Sequence, residues 1–298
     1  MKITQKRREL LFILMMIAPA VITLIALNVY PLATAIESSF FKIHPVTRDS
    51  SWVGIKHFQK YIVNPEFWAA TGRSAIWTIG GVVMQVALGI VISLLLHKEI
   101  KGRAFARAVV LWPYVVPTVV AASSFRFLLN PLTGYINYIF HDVLNLIPDI
   151  NWLGDSNYAM LAAIFVSLWK FVPFMIIMFL ARLQTTPLEL YDAVKIDGAN
   201  RWQEFRYITL PWLQPTIIVA ALLRTMWLFK EFDLIYLLTQ GGPSQTTRTL
   251  PLLIFFAAFD RRKMGEAAAI SIMMLIMVIP LAFAYLSRYQ KSEDEITL

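Results

Sequence analysis

The chain has 298 residues, of which 58% are hydrophobic and 13% aromatic, and a formal net charge of +8. That apolar share excludes an ordinary soluble domain and makes lipid the main solvent. The absence of cysteine excludes disulfides, thiolate metal sites and cysteine nucleophiles, while the basic excess suits topology setting and anionic headgroups and implies no nucleic-acid partner.

Six apolar runs are long enough to cross about 30 Å of hydrocarbon at about 1.5 Å per helical residue. The first, Leu10 to Val29, follows Lys6-Arg7-Arg8 and lacks a small-x-small cleavage site after Leu27, so it reads as a retained signal-anchor helix. Ser74 to Leu96, Ala108 to Leu129 and Tyr158 to Leu183 follow. Beyond a polar interruption come Trp212 to Leu238 and Ala267 to Leu286. Thr249 to Phe259 is apolar but too short to span, and is expected as an external surface helix that turns into the last span.

Lysine and arginine outside the spans set the orientation. With the N-terminus inside, the inner segments carry fourteen, counting Arg182 at the inner end of the fourth span: Lys2, Lys6, Arg7, Arg8, Lys98, Lys101, Arg103, Arg107, Arg182, Lys195, Arg201, Arg206, Arg288 and Lys291. The outer segments carry nine, and Asn130 to Ser156 carries none. The cluster Arg261-Arg262-Lys263 lies outside and opposes the bias. The expected architecture is an all-α membrane protein of six transmembrane helices forming a single transmembrane domain over 1–298, with both termini in the cytoplasm.

The interruption at 186–211 is polar between two apolar spans. Thr186 can accept from the N–H of Glu189, Pro187 suits the first helical position, and Glu189 can reach back, so a capping box is expected there. Leu188, Tyr191 and Val194 fall near one stripe, Glu189, Asp192 and Lys195 mix charge around it, and Gly198 is placed to stop the helix. Such a helix is either a solvated surface linker or a docking element on the cytoplasmic side.

No catalytic constellation is present. His44, His57, His97 and His141 are scattered without partners at metal or triad spacing, and Gly241-Gly242-Pro243 lacks the ending of a phosphate loop. ATP hydrolysis, if the chain depends on it, belongs to another subunit.

The informative polar residues lie inside the spans, where an ionisable group costs about 2.5–3.5 kcal/mol on insertion scales. They are Arg126, Lys170, Arg224 and Lys230, with Glu231 and Asp233 nearby. Arg126 is expected to snorkel at a span end. Arg224 and Glu231 share one helical face with Trp227 and Leu228 between them, whereas Lys230 points about 100° away on a continuous helix. On that basis Lys230 and Glu231 cannot both face one cavity. Pro113, Pro117, Pro173 and Pro215 free backbone carbonyls or kink their helices.

Asp192-Ala193-Val194, then Gly198, then Ile208-Thr209-Leu210-Pro211 resemble the EAA loop of ABC importer membrane subunits. Its pattern is Glu-Ala-Ala, three residues, Gly, nine residues, Ile-x-Leu-Pro; Asp192 and Val194 depart from it conservatively. The resemblance to carbohydrate-type permeases extends from about Leu14 to Tyr289. Its landmarks include Asn28-Val29-Tyr30-Pro31, Trp112-Pro113-Tyr114-Val115-Val116-Pro117, Asn151-Trp152-Leu153-Gly154-Asp155 and Phe232-Asp233-Leu234-Ile235-Tyr236 through Gly241-Gly242-Pro243.

The resemblance implies a type I ABC importer permease fold with a cytoplasmic coupling helix. It places a substrate site near the midplane at Tyr114, Thr118, Ser167, Lys170, Phe171, Phe174, Arg224, Trp227, Leu228 and Glu231. It places coupling at Leu188, Glu189, Tyr191, Asp192, Ala193, Val194, Asp197 and Gly198. It also implies a second related permease, two nucleotide-binding subunits that hold ATP and Mg, and an extracytoplasmic binding protein, with no cofactor on this chain. The inferred set contains aromatic faces for sugar C–H surfaces and polar groups for hydroxyls. Lys170 with Arg224 further suggests an anionic sugar, unless Glu231 pairs with one of them. The alternatives are a secondary transporter, for which no inverted repeat is found, and an ABC permease for a solute such as a polyol phosphate.

Overall fold

In a computed structural model of the protein, residues 2–45, 47, 49–98, 101–196 and 198–297 are described. The chain begins with α1 (Lys2–Leu24), a π turn and α2 (Tyr30–Ser38), followed by β1 (Phe41–Ile43), β2 (Ser50–Trp52) and α3 (Lys56–Ile62). Then come α4 (Pro65–His97), α5 (Arg103–Val115), α6 (Thr118–Leu128), α7 (Tyr135–Asn137) and α8 (Ala159–Leu183). The remainder is α9 (Leu188–Ile196), α10 (Arg201–Glu204), α11 (Leu210–Phe229), α12 (Asp233–Thr239), α13 (Leu250–Phe255) and α14 (Met264–Thr297).

Five stretches are helices long and apolar enough to cross a membrane: Leu10–Ser38, Pro65–His97, Ala159–Leu183, Arg201–Phe229 and Met264–Arg288. The third expected span, Ala108 to Leu129, is broken. α5 and α6 meet at 97°, where Val116 and Pro117 leave helical geometry. A proline offers no N–H and disfavours helix at the preceding residue, so the bend falls at Val116-Pro117. It frees the Val116 carbonyl, and the Lys170 ammonium donates to that oxygen.

The chain divides into two compact units. In the first, Met1–Asn64 with Ile254–Leu275, the window of Leu10–Ser38 that is most apolar has none of its residues buried, so its side chains face outward. β1 and β2 pair antiparallel with Phe41 opposite Trp52, whose ring packs on Phe40 at 5.5 Å and on Phe41 at 5.1 Å. Glu266, in the first turn of α14, gathers α3: Lys60 Nζ lies 2.7 Å from one carboxylate oxygen and Tyr61 Oη donates to the other at 2.8 Å. Gly265 is required beside it, because a Cβ there would stand 2.0 Å from the Phe41 carbonyl oxygen.

The second unit, Pro65–Leu253 with Ile276–Leu298, is built around α4, α8 and α11. One buried stripe of α4 runs Ala70, Ser74, Thr78, Gly81, Gln85, Gly89, Ser93 at three- and four-residue spacing. Small residues let helix backbones approach closely, which supplies packing where lipid offers no hydrophobic drive. A Cβ at Gly89 would come within 2.5 Å of the Met175 Cβ on α8. Beyond this contact Met175, Phe179 and Leu183 pack with Leu213 and Ala220 of α11.

Four expectations are corrected. Helix α4 begins at Pro65, before the expected Ser74, because Glu66 and Arg73 both engage Arg248: Arg248 Nη1 lies 2.9 Å from Glu66, and Arg73 donates to the Arg248 carbonyl at 3.4 Å. The fifth span stops at Phe229, short of the expected Leu238, and restarts as α12 after a non-helical Lys230-Glu231-Phe232. The short apolar helix from Leu250 is not a surface element: Leu250, Leu252, Leu253 and Ala257 are fully buried, and the Leu250 N–H is tied to Ser74 Oγ at 2.8 Å. The capping box is absent at Thr186, whose buried hydroxyl finds no partner, and forms instead at Asn200. There the Asn200 side chain accepts from Trp202 and Gln203 N–H at 3.0 Å while Gln203 reaches back to the Asn200 N–H at 2.8 Å.

Candidate functional site

A cavity of about 380 Å³ opens where the two helix breaks meet α8. Tyr114, Phe171, Arg224 and Trp227 line it from α5, α8 and α11, and Lys230, Glu231, Phe232 and Asp233 from the break after α11. Its aromatic wall is continuous. Tyr114 stacks on Phe174 with ring centroids 6.4 Å apart, and Phe174 meets Trp227 at 5.0 Å. Such offset and edge contacts fix ring orientation at about 0.5–1.5 kcal/mol a pair beyond their burial.

Arg224 is the most constrained charge in the wall. It is 3% exposed, its Nε donates to Gln85 Oε1 at 2.8 Å, and Gln85 Nε2 lies 3.3 Å from Ser167 Oγ. Its guanidinium carbon sits 4.4 Å from the Phe171 centroid and 5.7 Å from that of Trp227. Its Nη2 has no hydrogen-bond partner. Neither Arg224 nor Lys170 forms an ion pair with Glu231 among the described residues. Glu231 Oε1 instead accepts the Leu234 N–H at 3.1 Å, capping an otherwise orphan donor at the start of α12.

Of the ten residues inferred from the resemblance, Tyr114, Phe171, Arg224, Trp227 and Glu231 line this cavity. Phe174 backs the aromatic wall, and Ser167 is fully buried behind Gln85. Lys170 is buried and occupied with the Val116 carbonyl. Leu228 is buried, and its carbonyl near the end of α11 accepts both from the Glu231 N–H at 3.1 Å and from Trp77 Nε1 at 3.0 Å. Thr118 is half-buried at the start of α6 and does not line the cavity.

The site inferred from sequence left out Gln85, Lys230, Phe232 and Asp233, although Lys230 and Asp233 stood out as charges in or beside a span. Gln85 carried a signal, since it is a polar side chain in the middle of an apolar run. The exclusion of Lys230 assumed an unbroken helix; because α11 ends at Phe229, Lys230 and Glu231 both face the cavity.

At the other candidate site, α9 spans Leu188–Ile196 with Glu189, Asp192 and Ala193 exposed. Tyr191 and Val194 are half-buried: Tyr191 Oη lies 3.2 Å from Thr209 Oγ1, and the Val194 carbonyl accepts from Ala199 at 3.1 Å. Gly198 adopts φ +78°, a left-handed stop that favours glycine. Asp197 lies outside the described residues. The two ends of this polar segment are clamped together: Arg182 Nε donates to the Trp212 carbonyl at 3.0 Å, Trp212 Nε1 donates to the Arg182 carbonyl at 3.3 Å, and the guanidinium sits 4.3 Å from the indole.

A family model described as the binding-protein-dependent transport system inner membrane component matches residues 85–292. The chain belongs to that family. This inner membrane component is therefore a multi-pass transport subunit, and the secondary-transporter alternative falls. It is 34% identical over 281 residues to the trehalose/maltose transport system permease protein MalF of Thermococcus litoralis, covering 94% of each chain. It is 31% identical to the trehalose transport system permease protein SugA of Mycobacterium tuberculosis, covering 92% of this chain and 87% of that one. The inner membrane ABC transporter permease protein YcjO of Escherichia coli is 30% identical, with 91% and 92% covered. Among solved structures, a chain of a bacterial ABC transporter involved in import of the acidic polysaccharide alginate superposes with a TM-score of 0.84 at 20% identity, covering 98% and 99%. That likeness shows the permease fold.

Proposed function

We propose that this inner membrane component imports a carbohydrate by alternating access, together with a second related permease, two nucleotide-binding ATPase subunits and an extracytoplasmic binding protein. The observation that carries the reading is the aromatic-walled, polar cavity at the meeting of two broken helices. Aromatic faces suit sugar C–H surfaces, and convergent charged and polar groups suit hydroxyls. Relatives named as trehalose and trehalose/maltose permeases support the same class.

The binding protein delivers the sugar to the outer face, and ATP closes the nucleotide-binding pair. Helix α9, on the cytoplasmic side with both termini inside, receives that motion. The Tyr191–Thr209 bond and the Arg182–Trp212 clamp pass it to α11, which carries Arg224 and Trp227 near its far end, and to α8, which carries Phe171 midway along. Energy enters only through contacts that differ between the two states. This chain supplies the path and the coupling surface, while ATP and Mg are held by the partners.

The test is uptake of radiolabelled sugars into proteoliposomes holding the full complex with its binding protein outside and ATP inside. Accumulation that requires hydrolysable ATP supports the reading. Uptake that persists with a non-hydrolysable analogue, or no uptake of any sugar, overturns it.

A further inference from the structure

The Arg224 guanidinium is almost wholly buried in a membrane span, oriented by Gln85 and the faces of Phe171 and Trp227, yet it keeps Nη2 without a partner. A buried unpaired donor on a cation is costly, and chains keep one where something else completes it. No carboxylate of this chain does so among the described residues: Glu231 is engaged at the start of α12, and Asp233 sits in the first turn of that helix. Gln85 is an uncharged partner, so it fixes the plane of the guanidinium without neutralising it. Its own amide is held in turn by Ser167.

We infer that Arg224 is the receptor for an anionic group on the transported sugar, with Gln85 as its positioning residue. The inference rests on the carbohydrate-import reading and names the substrate class of that same cavity. A planar guanidinium with a free terminal nitrogen suits a carboxylate, sulfonate or phosphate oxygen, and the charge-assisted bond replaces the missing partner. Lys230, on the same wall, adds a second positive charge, while the Glu231 and Asp233 carboxylates accept from sugar hydroxyls. The cavity volume of about 380 Å³ lies near the lower end of small-molecule sites, which suits one or two rings presented at a time. A neutral sugar would enter the same aromatic wall but offer Nη2 only a hydroxyl oxygen, a weaker acceptor with no opposing charge, and that difference is the source of selection.

The same proteoliposomes test it with matched pairs: glucose and glucuronate, maltose and maltobionate, trehalose and trehalose 6-phosphate. The acidic member of at least one pair is expected to accumulate about tenfold or more above its neutral counterpart, the discrimination one charge-assisted hydrogen bond provides. Carboxylate and phosphate are separated by which pair responds. In Arg224→Gln that ratio should collapse towards one. Gln85→Glu, nearly isosteric and still able to accept from Arg224 Nε, should lower the ratio by about tenfold by neutralising the guanidinium, whereas a merely structural defect would lower both members equally.

ATP-dependent uptake of neutral sugars without an acidic preference, or a ratio unchanged in both variants, overturns the inference and leaves the import reading standing. Absence of ATP-dependent uptake for every sugar overturns both.

Discussion

Replacing Gly89 by Ala tests the packing that positions the cavity. The added Cβ would lie 2.5 Å from the Met175 Cβ and 3.1 and 3.3 Å from two atoms of the Phe179 ring. Carbon atoms rest at about 3.5–4.0 Å, so α4 and α8 must part by about 1 Å or more at this level. A Cβ is fixed to its backbone and cannot rotate away, which leaves helix separation as the only relief. Overpacking of this kind costs about 1–3 kcal/mol.

Gln85 is one turn away on the same stripe, and its bond to Ser167 is already 3.3 Å long. A further ångström takes that contact beyond hydrogen-bond range. Gly72→Ala is the control on the same helix: nothing lies within 4 Å of its Cβ, and Ala is favoured over Gly in a helix by about 1 kcal/mol. Thermal unfolding of the purified complex in mild detergent, followed by tryptophan fluorescence, reads both. Gly89→Ala should melt several degrees lower and Gly72→Ala at or above the parent temperature. Equal melting of the two variants would refute the close α4–α8 approach.

The remaining predictions concern coupling. Tyr191→Phe removes one hydroxyl and its 3.2 Å contact with Thr209 while keeping the ring. It should raise the ATP hydrolysed per sugar accumulated, and an unchanged ratio would mean that motion reaches α11 by another route. Gly198→Val forces a β-branched residue into φ +78°, costing about 1–2 kcal/mol at the helix stop. It should reduce the ATPase subunit recovered on affinity purification of this chain, and full recovery would count against Gly198 setting the shape of the docking surface.

Much of the architecture was legible because lipid imposes one rule, and long apolar runs obey it. What was not legible depended on distant partners. The α4 start at Pro65 needs Arg248, almost two hundred positions away, to satisfy Glu66 and Arg73. Two capping signatures stand in one loop, Thr186 with Glu189 and Asn200 with Gln203, and local grammar does not choose between them.

At the candidate site, Arg224 and the aromatic residues stood out because charge and large rings inside a span are costly or directional. Gln85 is not ionisable and so did not stand out among the charges in the spans, although this buried neutral amide is what orients Arg224. Lys170 looked equivalent to Arg224 in sequence. Only the bend at Val116 shows that its ammonium donates to a freed carbonyl. Lys230 and Glu231 shared a wall only once α11 was seen to stop at Phe229.

Crosslinking tests most directly whether energy enters through α9, as proposed. The chain contains no cysteine, so a single thiol introduced by Ala193→Cys, at an exposed position of that helix, is unique in this subunit. Leu132→Cys, 92% exposed in the loop after α6, is the matched control beyond the other end of α8. With a short thiol-reactive photocrosslinker on the assembled complex, the ATPase subunit should form an adduct with the Ala193→Cys variant and none with Leu132→Cys. No ATPase adduct from Ala193→Cys, or equal adducts from both positions, would contradict it.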